Sequence, residues 1–145
     1  MSISPDHVGR RYPPTDVYVV SQAKVGEFAR ALGDDHPAYR GPRACAPPTF
    51  PIVVAAQAWE QMFHDPDLGL ALERVVHGEQ SFESRRALMV GDEVTATLTI
   101  ERVRTRGSAD WITSVAEIGT LEGEDVSRVR ATFVHSHPHQ EEESR

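Results

Sequence analysis

The 145-residue chain sets 22 acidic against 15 basic side chains, for a formal charge of -7, and holds a single cysteine. Its length suits one domain around one core, and its charge supplies no basic stripe for nucleic acid. The longest apolar runs fall far short of the roughly 20 residues of a membrane span, and a lone Cys45 excludes an intrachain disulfide, so a soluble cytoplasmic protein is expected.

The opening "SPDHVGRRYPPTD" carries three prolines and a glycine and is expected to be irregular or extended. "VYVVS", Val17 to Ser21, has the β-branched and aromatic content of a strand. Ser21 then stands at the N-cap of "QAKVGEFARALG", where Val25, Phe28, Ala29 and Leu32 share one helical face and Gly33 ends the helix. A proline-rich loop, "RGPRACAPPTFP", leads to "IVVAAQAWEQMFHD". Thr49 is the expected N-cap of this second helix and Pro51 fits its first turn. Ile52 to Phe63 are apolar on nearly every side, which predicts a helix buried all round.

The period then changes. "RVVHGEQSFESRRAL", "DEVTATLTIERVRTR", "ADWITSVAEIGTL" and "EDVSRVRATFVHS" alternate apolar and polar residues, with one slip after Val126 that suits a bulge. Turn-forming "MVGD", "TRGSAD" and "LEGED" separate them. The pattern predicts an α+β fold, an antiparallel sheet wrapped around a central helix. Residues 1–136 form the expected domain, and 137–145, "HPHQEEESR", read as a disordered charged tail.

Residues able to do acid/base chemistry gather in "GDDHPAY", Gly33 to Tyr39. Asp34 and Asp35 accept backbone N–H groups in the turn after Gly33, or Asp34 takes part in proton transfer with His36. In "VVHGEQSF", strict alternation puts His77 and Glu79 on one face and Gly78 and Gln80 on the other, which leaves open whether the His/Glu pair faces the helix or solvent. His135, His137 and His139 alternate along a fraying terminus without an ordered fourth ligand, so no metal site is expected. Cys45, with no activating base beside it, reads as a loop residue.

Taken together, "FARALGDDHPAY", "APPTFP" and "VVHGEQSFESRRALMVGD" at these distances resemble the MaoC-like hot-dog dehydratases, and in particular the accessory subunits of actinobacterial (3R)-hydroxyacyl-ACP dehydratases. The resemblance runs from about Val8 to His135. It implies a hot-dog fold, an acyl-CoA or acyl-ACP substrate, no cofactor, and a homologous hot-dog partner or a homodimer. Active members carry Asp-x-Asn-Pro-x-His before the central helix and a His-Gly pair at that helix's entrance. Here Asp34 matches the Asp, His36 the Asn, Pro37 the Pro and Tyr39 the His, while Pro47 and Pro48 replace His-Gly. A phenol with an ordinary pKa near 10 begins about 3.5 units above an imidazole as a base, and proline has no N–H to offer a thioester oxyanion. The resemblance therefore implies a subunit that completes an acyl tunnel through Tyr39, Pro48, Thr49, Phe50 and Val53, with His77 and Glu79 as a brace or interface. A self-sufficient hydratase using Asp34 with His36 or His77, an inactive acyl-thioester binding module, and a thioesterase are the competing readings.

Overall fold

A computed structural model describes residues 3–138. The expected disordered tail lies outside the described residues apart from His137 and Pro138. Helix α1 spans Gln22–Ala31, and Ser21 caps it by accepting the Lys24 N–H at 3.1 Å. Its end is a glycine-dependent lock: Gly33 takes φ +69°, its N–H returns to the Arg30 carbonyl, and the Asp34 N–H returns to that of Ala29. Val25 and Ala29 are buried as their spacing predicts, but Leu32 is 53% exposed. The helix reaches its C-cap at Leu32, so that side chain leaves the packed face.

Helix α2 spans Pro51–Phe63. Phe50 is its N-cap position and already has helical dihedrals (φ -55°, ψ -31°), so Thr49 sits in the preceding turn and caps nothing. Expected burial all round also fails. Val54, Ala55, Ala58, Trp59 and Met62 are buried, Ile52 and Val53 are half-buried, and Ala56, Gln57 and Glu60 are exposed. The sheet covers one side of the helix and leaves a strip uncovered.

Five antiparallel strands, β1 (Tyr18–Val19), β2 (Val75–Ser84), β3 (Glu93–Arg106), β4 (Ala109–Thr120) and β5 (Asp125–Ser136), are ordered β1-β3-β4-β5-β2. The curled sheet packs β3, β4 and β5 on α2. Val94, Ala96, Leu98 and Ile100 line its inner face with no exposure, and Val129, Ala131 and Phe133 complete it from β5. The slip after Val126 is a bulge: Ile118 pairs with Ser127 and Gly119 with Asp125, leaving Val126 unpaired with β4. A second bulge at Glu101 turns Arg102, Arg104 and Arg106 to the outer face.

The amino-terminal segment is extended after a short 3-10 turn at Pro5–His7. It lies along β3, with the Gly9, Tyr12 and Thr15 N–H groups donating to Ile100, Leu98 and Ala96 carbonyls. That closes one side of the sheet. At the other side β2 pairs only with β5 among the described residues, so ten residues keep a free edge. Among the described residues no helix is long and apolar enough to cross a membrane.

Candidate functional site

The segment after α1 is held by its own backbone. The His36 N–H donates to Asp34 Oδ1 at 3.1 Å, and the Ala38 N–H donates to His36 Nδ1 at 3.1 Å. His36 thereby caps the 3-10 turn Pro37–Tyr39. The Cys45 N–H donates to the Ala38 carbonyl, and Ala46 and Val90 tie the same stretch to the chain before β3 through Leu88 and Ala44.

This geometry limits the chemistry available. A neutral imidazole has one lone pair in its plane, and in His36 that lone pair, on Nδ1, receives an amide N–H while Nε2 carries the proton. His36 is exposed, and its ring lies 5.7 Å between centroids from that of Tyr39 at a tilt of 52°; Tyr39 is half-buried against the core. Asp34 uses its carboxylate as a turn acceptor for the His36 N–H. The two residues thus contact each other without forming the side-chain pair that would pass a proton between them.

A groove of about 650 Å³ lies beside these residues, lined by Gly26, Ala29 and Arg30 of α1 and by Asp34, His36 and Tyr39. Pro48, Thr49, Phe50 and Val53 lie outside its lining. Pro48 and Thr49 are exposed in the turn before α2. Phe50 has no exposed surface and packs edge-on against Phe28 at 5.3 Å between centroids. Val53 is half-buried at the edge of the uncovered strip of α2.

His77 and Glu79 do not share a face. Gly78 is an extra residue in β2: His77 pairs with Phe133 and Glu79 with Thr132, the next residue of β5. His77 consequently lies on the α2 side of the sheet, 5.4 Å between ring centroids from Trp59 and 4.9 Å from Phe133, while staying exposed at the strand's edge. Glu79 turns outward beside Arg102, Arg104 and Thr132. The alternation that placed them together is broken by the bulge, so neither facing that left them a pair holds. The Trp59 indole N–H and Gln80 Oε1 are buried without a partner on this side of the molecule.

Polar contacts that the sequence reading left unassigned anchor the far end of α2. Asp65, just past the helix, accepts Arg10 at 2.8 Å and the Tyr12 hydroxyl at 2.7 Å, while Arg10 also reaches Asp67 at 3.1 Å. Burial pushes the Asp65 carboxyl up, but these bonds outweigh it and hold the group below its ordinary value. Burial first, and then the bond to Asp65, push the Tyr12 phenol well up. Sequence separation of more than fifty residues hides this brace.

His135 and His137 are not on a fraying end. His135 is buried in β5 with Nε2 accepting the Ala71 N–H at 3.1 Å and Nδ1 left without a partner. Burial lowers its pKa, against a smaller opposing pull from Asp110. His137 Nε2 lies 2.8 Å from the buried Asp110, which also accepts the Thr105 hydroxyl at 2.6 Å. Among the described residues no group of three His, Cys, Asp or Glu side chains is arranged to hold a metal ion; His139 lies outside them.

Residues 6–129 match the family described as "FAS1-like, dehydratase domain region". A UPF0336 protein of Cutibacterium acnes is 49% identical over 138 residues, which cover 95% of this chain and 97% of that protein. The C-terminally truncated HadBC (3R-hydroxyacyl-ACP dehydratase) complex from Mycobacterium tuberculosis contains a chain with TM-score 0.78 and 28% identity, over 89% of this chain and 97% of that one. A "MaoC-like dehydratase" superimposes with TM-score 0.81 at 27% identity, over 90% of this chain and 42% of its own length.

Proposed function

This chain belongs to the FAS1-like dehydratase family, and on that premise we propose that it is the non-catalytic subunit of a (3R)-hydroxyacyl-thioester dehydratase or hydratase. A homologous hot-dog partner supplies the catalytic Asp/His pair. The reaction moves a proton from the carbon beside the thioester carbonyl and another to the departing hydroxyl, which needs a free base and a donor on the thioester oxygen.

One observation carries the reading. At the position where family resemblance puts the catalytic pair, the His36 lone pair is taken by the Ala38 N–H and the base position holds the phenol of Tyr39. Pro47 and Pro48 remove the backbone donors that the helix entrance would offer. The free edge of β2 and the uncovered strip of α2 suit pairing with a second hot-dog chain, since an unpaired ten-residue edge is a template for another strand. The similarity to a chain of the HadBC (3R-hydroxyacyl-ACP dehydratase) complex supports a two-subunit assembly and an acyl group carried on acyl carrier protein, with coenzyme A as the alternative carrier of the same thioester.

In this assembly Tyr39 fills the place of the absent imidazole, and Val53 with the exposed strip of α2 contributes to the acyl path. Phe50 shapes that path from within the core. The test is reconstitution: the chain alone should not hydrate crotonyl-CoA, and mixing it with a hot-dog chain that carries Asp-x-Asn-Pro-x-His should give a stable complex and turnover. Turnover by the pure chain, abolished in Asp34→Asn, selects the self-sufficient hydratase instead.

A further inference from the structure

The two halves of the sheet's outer face treat their arginines differently. Toward the β4–β5 turn, Arg128 pairs with Glu117 at 3.0 Å and Arg130 with Glu101 at 2.8 Å. Beyond the Glu101 bulge, Arg102, Arg104 and Arg106 take successive outward positions of β3, and none has an ion pair among the described residues. Other exposed arginines lack a partner too, but only here among the described residues do three share one face of one strand. Neighbours in this row stand about 7 Å apart, less than a physiological Debye length, so the three guanidinium groups repel one another. Trp111 lies opposite Arg104 on β4 and is 37% exposed. Glu79 of β2 is the one carboxylate lining this concavity of about 200 Å³, and three strand spacings, about 14 Å, separate its backbone from that of Arg102.

The described chain ends beside this row. Ser136 pairs with Ala109 and Ala109 with Arg106, so two strand spacings, about 10 Å, lie between the end of β5 and Arg106. His137 fixes the exit: its N–H donates to the Ser108 carbonyl at 2.7 Å, and its Nε2 lies 2.8 Å from Asp110. After Pro138 the sequence runs His-Gln-Glu-Glu-Glu-Ser-Arg, which puts Glu141, Glu142 and Glu143 three to five residues on, within a reach of about 10 to 18 Å. The inner side at this end offers Asp110, already bonded to His137 and Thr105, and the balanced charges of Glu73 and Arg74 on the 3-10 turn packed against β5. The outer side offers three cations against Glu79 alone.

We infer that the row Arg102, Arg104 and Arg106 is an acidic-peptide site whose occupant is this chain's own segment Glu141–Glu143, held from the His137 anchor. Alternate residues of an extended peptide stand about 7 Å apart, the spacing of the arginines, so Glu141 and Glu143 match two neighbours in the row. Exposed Arg–Glu pairs are individually weak, but attachment a few residues away gives an effective concentration of the order of millimolar, and that decides occupancy. The assignment is independent of the dehydratase reading, since it concerns the face of the sheet opposite α2. Its consequence is that the segment keeps other polyanions off this face.

Acrylamide quenching of tryptophan fluorescence tests the assignment, because Trp111 stands in the row and Trp59 is only 7% exposed. The full chain is compared with a chain ending at Pro138 and with the full chain carrying Glu141→Gln, Glu142→Gln and Glu143→Gln. Each is prepared with and without Arg102→Gln, Arg104→Gln and Arg106→Gln, which alter exposed side chains only. At low salt both tail variants should be quenched about twofold more readily than the full chain, and about 0.5 M salt should bring the full chain to their level. In the arginine-substituted background all three tails should be quenched alike, and Trp111→Phe should remove the tail-dependent part of the signal. The free peptide His-Gln-Glu-Glu-Glu-Ser-Arg, at millimolar concentration, should restore protection to the chain ending at Pro138. The inference is overturned if truncation leaves quenching unchanged, if its effect survives the arginine substitutions or Trp111→Phe, or if the glutamine tail protects as well as the native one. Protection that is lost on dilution places the segment on a second copy of this chain, and hexaglutamate that protects the full and truncated chains equally shows the row to be open; either result also overturns it.

Discussion

His36 bonds to Asp34 through its backbone N–H and not through its ring, whose Nδ1 instead accepts the N–H of Ala38. Two residues that resemble half of an acid/base site in the sequence are thus engaged in ending one turn and starting another. On the proposed reading these bonds are their main contribution, and the variants should reflect it. Asp34→Asn keeps an oxygen acceptor and should leave stability nearly unchanged, whereas His36→Ala removes a cap and should cost about 1 kcal/mol. Denaturant titration of the two variants measures the difference.

Deleting Gly78 offers a sharper structural test. Without it, His77 still pairs with Phe133 and Glu79 with Thr132, so every neighbour in β2 keeps its face and the strand becomes regular. The deletion variant should fold, with His77 still against Trp59, and tryptophan fluorescence should remain native-like. A Gly78→Val substitution should be worse tolerated than the deletion, because even a Cβ there meets Val134 at 3.3 Å and the Thr132 carbonyl at 3.5 Å.

The brace at the end of α2 sets the acid limb of stability. Asp65 has a folded pKa below its ordinary 3.8, so its contribution is complete above that value and is lost as pH falls through the folded one. Asp65→Asn should destabilise by about 2 kcal/mol near neutral pH, since Arg10 and Tyr12 lose a charged acceptor, and should flatten the stability profile in acid. Urea midpoints measured across the acid range check both outcomes.

His135 acts in a different window. Its folded pKa lies below the ordinary 6.5 because burial disfavours the charged ring. Stability from this group is therefore present above 6.5 and is lost as pH falls through the lower folded value. His135→Gln should weaken the pH dependence in this mildly acidic window, and thermal unfolding of the two proteins across it reads the effect.

Much of this fold is legible in the sequence because the physics is local. The Ser21 cap, the Gly33 stop and the alternation of Val94, Ala96, Leu98 and Ile100 each depend on a few neighbouring residues. Failures occur where a distant or extra residue decides the outcome. Gly78 inserts one residue and sends Glu79 away from His77, and Leu32 fits the periodic face of α1 but lies where the helix stops. The uncovered strip on α2 is invisible to composition, because apolar Ala56 looks like core until the sheet is seen to curl over only one side. At the candidate site the residue types were legible, but the hydrogen bonds that occupy His36 were not: an imidazole two residues from an Asp has the same spelling as a base and as a cap.

The most direct measurement is crotonyl-CoA hydration by the reconstituted two-chain complex, with the Asp and His of the partner's motif replaced in one preparation and Asp34 and His36 of this chain replaced in another. Activity should vanish in the first and persist in the second. Loss of activity in the second preparation, from a complex that still assembles, would contradict the assignment of catalysis to the partner.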